Sequence, residues 1–572
     1  MRLSGLTIAN FKGIGEQGIH IDLAPITMLF GPNNAGKSTV IQALHLAKEA
    51  FCQTYPDFNK IEPLGHGLDL GSFQDYVHRH DLNRVIRIGL EWEEDGLPAC
   101  GDDLQNQQLE SWAEIDKMLN SISTFVVEFS IRYRGGAELS DFTIYFNGQK
   151  FAILELPTPS LAQPAALAFC SATPFMSKDS LDRLKAMFPF LSPENPSPDL
   201  TLANRSETDH LDAFNEELRK SIPDLLWPFA QQTAQALGAP VGLFALEIQQ
   251  IVTFGWYATS MPRWNQLLDL KPTTIDLEET DNYRLQNFRV LISSLLLSPV
   301  RQLQELLNES IYIGPLRRIP ERGPVRPRKY SASNWADGSA AWELSLDAPE
   351  DYLNRLNQRL NSHGFLETGY SLYRKKMIFS EQTGQLAKTL NEAIIEEELS
   401  DEALPIIREF LNQTPETRLY LRNKLTGVEL EPHDLGTGIT QVFPIVAATV
   451  FTGYGALIAM EQPALHIHPK LQVALGDVFI EAINPDNPNT PMFLLETHSE
   501  HLLLRLLRRI RETYEGAISE SLSLSPGDLA VNWIGQENGE TFVRRLTLDE
   551  DGSFNVPWPE GFFDERGEEL FG

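Results

Sequence analysis

Cysteine is close to absent. Cys52, Cys100 and Cys170 are the only three in 572 residues, and their wide spacing excludes a disulfide framework or a zinc cluster. Positive charge is scarce as well: 47 Lys and Arg stand against 78 Asp and Glu, a formal charge of −31. A surface that grips nucleic acid everywhere is thereby excluded, because neutralising phosphates takes a positive footprint; any DNA contact must be local. No apolar run reaches the roughly 18–20 residues that cross a bilayer, the best stretches, 291–300 and 441–460, being short or interrupted. Met1, Arg2, Leu3, Ser4, Gly5 and Leu6 lead into an alternating strand and lack the apolar core of a signal peptide. Heptads do not persist, which argues against a long coiled-coil arm, and no internal repeat is found. What remains, 42% hydrophobic and 22% charged residues, is an ordinary globular balance. It predicts a soluble, cytoplasmic protein of two or three domains, at roughly 100–200 residues each.

The first forty residues carry the clearest pattern. Leu3, Leu6, Ile8 and Phe11 mark one strand, 19–23 alternates as a second, and Ile26, Thr27, Met28, Leu29 and Phe30 form an apolar third. The third ends at Gly31-Pro32-Asn33-Asn34-Ala35-Gly36-Lys37-Ser38-Thr39, followed by apolar residues at helical spacing (Ile41, Leu44, Ala47, Phe51). Gly31-x-x-x-x-Gly36-Lys37-Ser38 is the complete phosphate-loop pattern in its strand–loop–helix setting. Its glycines let successive N–H groups turn inward onto phosphate oxygens. Lys37 would place a charge on the β- and γ-phosphates and the Ser38 hydroxyl would complete a Mg²⁺ shell, while the helix start adds its positive end.

Residues 80–155 read as strand-rich, 156–205 as an irregular Pro- and Ser-rich connection, and 208–236 and 282–309 as helical. The last third alternates strands and helices, which implies a largely parallel sheet covered on both faces. Within it, 456–460 is an apolar strand ending at Glu461, a carboxylate placed as a Mg²⁺-orienting acid requires. A second apolar strand, 493–495, runs into Glu496, Thr497, His498 and Ser499. Upstream lies Asp434-Leu435-Gly436-Thr437-Gly438-Ile439-Thr440-Gln441, a glycine-bearing turn able to start a helix.

This order of motifs resembles the ABC-type ATPases of the SMC, RecF and overcoming-lysogenization-defect (OLD) group. Within that group it is most similar to AAA-family ATPases of bacterial antiviral defence, of the Septu-, retron- or PARIS-associated kinds. The resemblance rests on Asn10-Phe11-Lys12, the phosphate loop, the 434–441 turn as signature, Glu461-Gln462-Pro463-Ala464-Leu465-His466-Ile467-His468-Pro469 and Thr497-His498-Ser499. Tyr312-Ile313-Gly314-Pro315-Leu316-Arg317 and the tail from Trp558 to Glu565 add to it; 80–310 contributes little. It implies an α/β P-loop NTPase fold of ABC-ATPase type, with a mixed sheet covered by helices on both faces and a large inserted helical or irregular region. The implied division is an N-terminal lobe over 1–160, an inserted arm over 161–310 and a C-terminal lobe over 311–572. Two copies would sandwich two ATP molecules. Asn10, Lys12 and the loop residues Asn33 to Thr39 would hold one nucleotide, and Gly436, Thr437 and Gly438 of the other copy would face its γ-phosphate. Ser38, Glu461 and Gln74 would hold Mg²⁺, and His498 would sense the γ-phosphate.

One position departs from the group. Gln462 stands where a glutamate usually polarises the attacking water; an amide orients water without accepting its proton. Glu496, His466 and His468 are the candidate substitutes, and slow hydrolysis is expected. Two basic clusters stand out in so acidic a chain: Arg317, Arg318, Arg322, Arg326, Arg328 and Lys329, and Arg505, Arg508, Arg509 and Arg511. They are candidates for DNA or an acidic partner, with internal ion pairing as the alternative. The chain after His498 leaves too little room for a nuclease domain of about 100 residues. The effector that the resemblance implies, an HNH or TOPRIM nuclease, is therefore expected as a separate subunit. A scaffold that holds ATP without hydrolysing it, and cages its partner, is the alternative.

Overall fold

In a computed structural model the chain is described at residues 1–53, 56–61, 63, 68–97, 120, 122–155, 166–169, 252–253, 269–270, 279–322, 332–362, 365–380, 384–396, 403–453, 455–484 and 490–559. The strands are β1 (Arg2–Ala9), β2 (Ile19–Asp22), β3 (Ile26–Phe30), β4 (Ile86–Glu93), β5 (Thr124–Tyr133), β6 (Ala137–Phe146), β7 (Gln149–Glu155), β8 (Ala166–Phe169), β9 (Val252–Thr253), β10 (Asp269–Leu270), β11 (Ile311–Ile313), β12 (Tyr370–Met377), β13 (Glu416–Asn423), β14 (Glu429–Leu430), β15 (Leu457–Glu461), β16 (Met492–Glu496), β17 (Leu529–Glu537) and β18 (Glu540–Leu546). The helices are α1 (Lys37–Cys52), α2 (Phe73–Tyr76), α3 (Glu279–Glu309), α4 (Ala332–Ala336), α5 (Ser339–Asp347), α6 (Glu350–Asn361), α7 (Gln385–Glu396), α8 (Ala403–Leu411), α9 (Thr437–Phe451), α10 (Pro469–Ala482) and α11 (Glu500–Tyr514).

The central sheet runs β11-β15-β16-β3-β17-β18, parallel except for β18. β3, β15 and β16 are buried at every position. Strands covered on both faces have to be apolar throughout, which is why they read as unbroken runs. Their side chains still alternate between the faces. Leu457, Ala459, Met492 and Leu494 join a core with α1, α3 and a seven-stranded antiparallel sheet, β2-β1-β4-β5-β6-β7-β8. Ile458, Met460, Phe493 and Leu495 join the opposite core, with α5, α6, α9, α10 and α11. On that side Trp342 of α5 stacks on Phe443 of α9, ring centroids 3.7 Å apart. A three-stranded sheet, β12-β13-β14, leads directly into the turn before α9.

The antiparallel sheet is the main addition to the sequence reading, which expected one largely parallel sheet and a strand-rich stretch. β8, within the stretch expected to be irregular, pairs with β7 as its edge. Residues 295–307 of α3, assigned by sequence to an inserted arm, pack their leucines into the first core. The helix expected over 208–236 and the tail from 560 onward lie outside the described residues.

Two arginines of α11, Arg505 and Arg509, turn inward, while Arg508 and Arg511 are exposed. Asp477 on α10 is fully buried and accepts from Arg505 (2.6 Å) and Arg509 (2.8 Å), while Arg508 and Arg509 each pair with Glu512 at 2.6 Å. Of the two readings of the 505–511 cluster, internal ion pairing holds for Arg505 and Arg509, whose charges tie α10 to α11. Replacing Asp477 by Ala leaves two guanidinium groups facing a buried void, and should cost about 3–5 kcal/mol in urea unfolding. A loss under about 1 kcal/mol would mean that the pairs are no better than surface ion pairs.

Candidate functional site

Backbone geometry makes the loop after β3. Gly31 has φ +141°, and a Cβ there would lie 2.0 Å from the Ile534 carbonyl oxygen; at Gly36, φ +109°, it would lie 2.8 Å from the Thr541 hydroxyl. Only glycine fits either place. The β17–β18 hairpin braces the loop from outside, Gln536 donating to the Asn34 carbonyl (2.9 Å) and Thr541 to that of Ala35 (3.0 Å). Asn33 and Asn34 are exposed, whereas Ala35 and Thr39 are buried. Gly36 starts α1 without a side-chain cap, so the first N–H groups of that helix lack intrahelical partners and are available to an anion. Lys37 is only 4% exposed and donates to the carbonyls of Gly31 (3.0 Å) and Pro32 (2.8 Å). Burial lowers its pKa, against the opposing pull of Glu496.

Two carboxylates face this loop. Glu461 and Glu496 end the neighbouring strands β15 and β16 as register partners, and Glu496 is in turn level with Leu29 of β3. The Ser38 hydroxyl donates to Glu496 at 2.8 Å, and the Tyr312 hydroxyl to Glu461 at 2.9 Å. Burial first, and then the charge of Glu496, pushes Glu461 up to about 7; burial also raises Glu496, against Ser38 and Lys37. The sequence reading paired Ser38 with Glu461 and treated Glu496 as a possible base. In the structure the direct partner of Ser38 is Glu496, which makes it a metal-side residue as well. One hydroxyl and two carboxylates form a hard oxygen set that fits Mg²⁺, an ion that keeps waters and phosphate oxygens for its other positions. Gln74, the third expected metal contact, is exposed on α2, and no contact joins it to the set among the described residues. There, too, no group of three or more His, Cys, Asp or Glu could hold a metal.

The flanking residues are fixed through backbone bonds. Gln462 sits at φ +47°, its N–H donating to the Glu496 carbonyl at 2.8 Å. A left-handed glutamine is strained, and such strain gathers at working sites. Thr497 donates its N–H to Leu29 of β3, and Ser499 caps α11, so the chain on either side of His498 is held. The pKa of His498 is lowered, by burial and then by the charge of Lys37, which places its neutral imidazole within electrostatic reach of the loop. Burial lowers the pKa of Lys12, against the opposing charges of Asp69 and Glu461. Asn10 is spent on the fold, donating to the Val85 carbonyl and accepting from Arg84, both at 2.9 Å. His468 accepts from the Lys470 N–H to cap α10 and His466 is exposed, so they do not act as a metal pair.

The expected signature turn does start a helix. Gly436 is the N-cap of α9, without a side-chain cap; it and Thr437 are exposed, and nothing lies within 4 Å of where a Gly436 side chain would be. Two members of the nearby basic cluster have partners in the structure. Arg317 is buried, Arg322 pairs with Asp434 at 2.6 Å, and Arg318 is exposed; Arg326, Arg328 and Lys329 lie outside the described residues. Within this cluster internal bonding holds for Arg317, and Arg322 forms an exposed ion pair.

The raised carboxylates make stability pH-dependent. A group whose folded pKa lies above its unfolded value contributes stability in full below the unfolded value, near 4.5 for Glu461, and loses it as pH rises through about 7. The nucleotide-free protein should lose up to about 3 kcal/mol over that window through Glu461. Glu461→Gln should flatten the fall in melting temperature between pH 5 and 8; equal slopes for wild type and variant would contradict the pairing.

The family described as "AAA ATPase domain" matches residues 1–128, and the one described as "AAA domain, putative AbiEii toxin, Type IV TA system" matches 315–505. Comparison with curated proteins finds no significant match. Among solved structures the chain is similar to an SMC head bound to the C-terminal winged-helix domain of ScpA (10% identity, TM-score 0.35, covering 96% of this chain and 99% of that one). It is also similar to the SMC head domain from Thermotoga maritima (10% identity, TM-score 0.33, covering 96% and 100%). The first match spans the phosphate loop and the second spans Glu461, His498 and α9, so the parts of the chain that build this site are similar to AAA-type ATPase domains.

Proposed function

We propose that this protein is an ATP-operated switch in which two copies close on two ATP molecules and thereby control a separate effector. The observation that carries it is the arrangement of Lys37, Ser38, Glu461 and Glu496 around one loop, with an uncapped, exposed helix start at Gly436 left over to meet a second copy. ATP would lie along residues 33–39, with the amine of Lys37 exchanging its carbonyl partners for phosphate oxygens. Mg²⁺, held by Ser38, Glu461 and Glu496, would neutralise charge between phosphates and acids. Gln462 would orient the attacking water without accepting its proton, which makes turnover slow. His498, neutral and beside Lys37, would read the γ-phosphate. Gly436, Thr437 and Gly438 offer backbone N–H groups and a hydroxyl to the partner's γ-phosphate.

The effector side of the reading rests on the resemblance to defence ATPases. Support comes from the name of the family matched by 315–505, which includes the words "putative AbiEii toxin, Type IV TA system". A separate nuclease of HNH or TOPRIM type remains the partner proposed, in antiphage defence. No helix among the described residues is long and apolar enough to cross a membrane. The second reading, a scaffold that holds ATP without turning it over, is favoured by Gln462 alone.

Mixing the protein with ATP and Mg²⁺ should produce dimers or larger assemblies by light scattering. Lys37→Ala, which removes a charge-assisted contact, should weaken ATP binding about 30-fold or more and abolish assembly. No bound nucleotide at millimolar ATP would overturn the proposal. A single-turnover assay separates the two readings: slow release of ADP supports the switch, and intact ATP after hours in stable assemblies supports the scaffold.

A further inference from the structure

The segment Tyr312-Ile313-Gly314-Pro315-Leu316-Arg317 has no role in the reading above, yet both of its ends are bonded to the site. Tyr312 lies on β11, level with Ala459 of the acid strand, and its buried hydroxyl donates to the Glu461 carboxylate. Arg317, five residues on, is 4% exposed and donates to the backbone carbonyls of Glu461 (3.0 Å) and Gln462 (3.1 Å). A longer contact, 3.5 Å, reaches the Gln441 carbonyl of α9, and the Gln441 side chain returns a 2.8 Å bond to the Arg317 carbonyl. One arginine thus touches the end of the acid strand and the second turn of the helix that begins at Gly436.

Among the described residues, backbone carbonyls alone, with no counter-charge, offset the burial of this cation. No carboxylate pairs with it among the described residues, and its Nε finds no acceptor there. Burial pushes it down to about 10, so it stays charged at neutral pH. A buried charge without a counter-charge costs several kcal/mol, and a well-packed apolar side chain would do better for stability. What an apolar side chain lacks is the planar fork that holds several carbonyls at once, and lysine lacks it too. The Arg317 bond on the Gln462 carbonyl and the Glu496 bond on its N–H grip this left-handed residue from both sides.

We propose that the 312–317 segment is the mechanical link between the acid end of β15 and the start of α9, with Arg317 as its positioning residue. A shift of the Glu461–Gln462 backbone on nucleotide loading is passed through Arg317 and Gln441 to α9, and sets how Gly436, Thr437 and Gly438 are presented to a second copy. The inference rests on the proposed ATP reading of the site, and the two can fail separately.

Hydrogen exchange, followed by mass spectrometry at a protein concentration too low for assembly, tests the link with Mg²⁺ and ATP as probe. In the wild type, nucleotide should slow exchange across 31–40 and also change it across 436–445. Arg317→Lys keeps the charge and loses the fork; Gln441→Leu leaves the guanidinium and removes the return bond. Both should keep the response of 31–40 while that of 436–445 falls roughly five-fold or more, as expected when a coupling element is cut. A merely structural arginine would instead lower the melting temperature and dull both segments together. Should Arg317→Lys do that, Gln441→Leu decides. A full 436–445 response in both variants, or none in a wild type whose 31–40 segment responds, overturns the link. No response at 31–40 in the wild type overturns the ATP reading instead.

Discussion

Two buried carboxylates held side by side are the constraint on which the rest depends. Glu461 and Glu496 are register partners at the ends of adjacent parallel strands, so the central sheet itself forces like charges together. Burial and mutual repulsion favour a proton on the pair, and a divalent cation would relieve it far more completely. Lys37 and Ser38 at the start of α1 face Glu496, while the Tyr312 hydroxyl and the charge of Lys12 act on Glu461. The proposed metal carrying phosphate would offset both charges at once.

The fold around it follows from holding those strand ends still. β3 lies between β16 and β17, so the phosphate loop emerges beside Glu496, and the β17–β18 hairpin reaches round to brace it. The two cores on either face of the sheet draw on both ends of the chain: α1 with the antiparallel sheet on one face, α9, α10 and α11 on the other. Charge that looked available for DNA is used internally, Arg505 and Arg509 on Asp477 and Arg317 on carbonyls. An acidic chain has spare carboxylates for pairings such as those on Asp477.

Much of this was legible in the residues. β3, β15 and β16 show as continuous apolar runs because both of their faces are covered, and the loop shows because its chemistry requires two glycines, a lysine and a hydroxyl at set positions. Glu461 was readable from its place at a strand end. The Ser38–Glu496 bond was not, because strand order, not sequence order, brings β16 between β3 and β15. Tyr312 and Arg317 likewise reveal their bonds only once β11 is seen to pair with β15. The antiparallel sheet was visible strand by strand, but its separation from the parallel one depends on long-range pairing that local alternation does not encode. The arginine clusters misled because a run of charge says nothing about what lies across from it.

The most direct test of the central claim is calorimetric titration of ATP with Mg²⁺ and with Mg²⁺ removed by chelation. ATP alone brings negative charge toward two acids, so the account predicts that Mg²⁺ tightens binding by about ten-fold or more, and that replacing both Glu461 and Glu496 by Gln abolishes the difference. Equal affinity with and without Mg²⁺ in the wild type would contradict it.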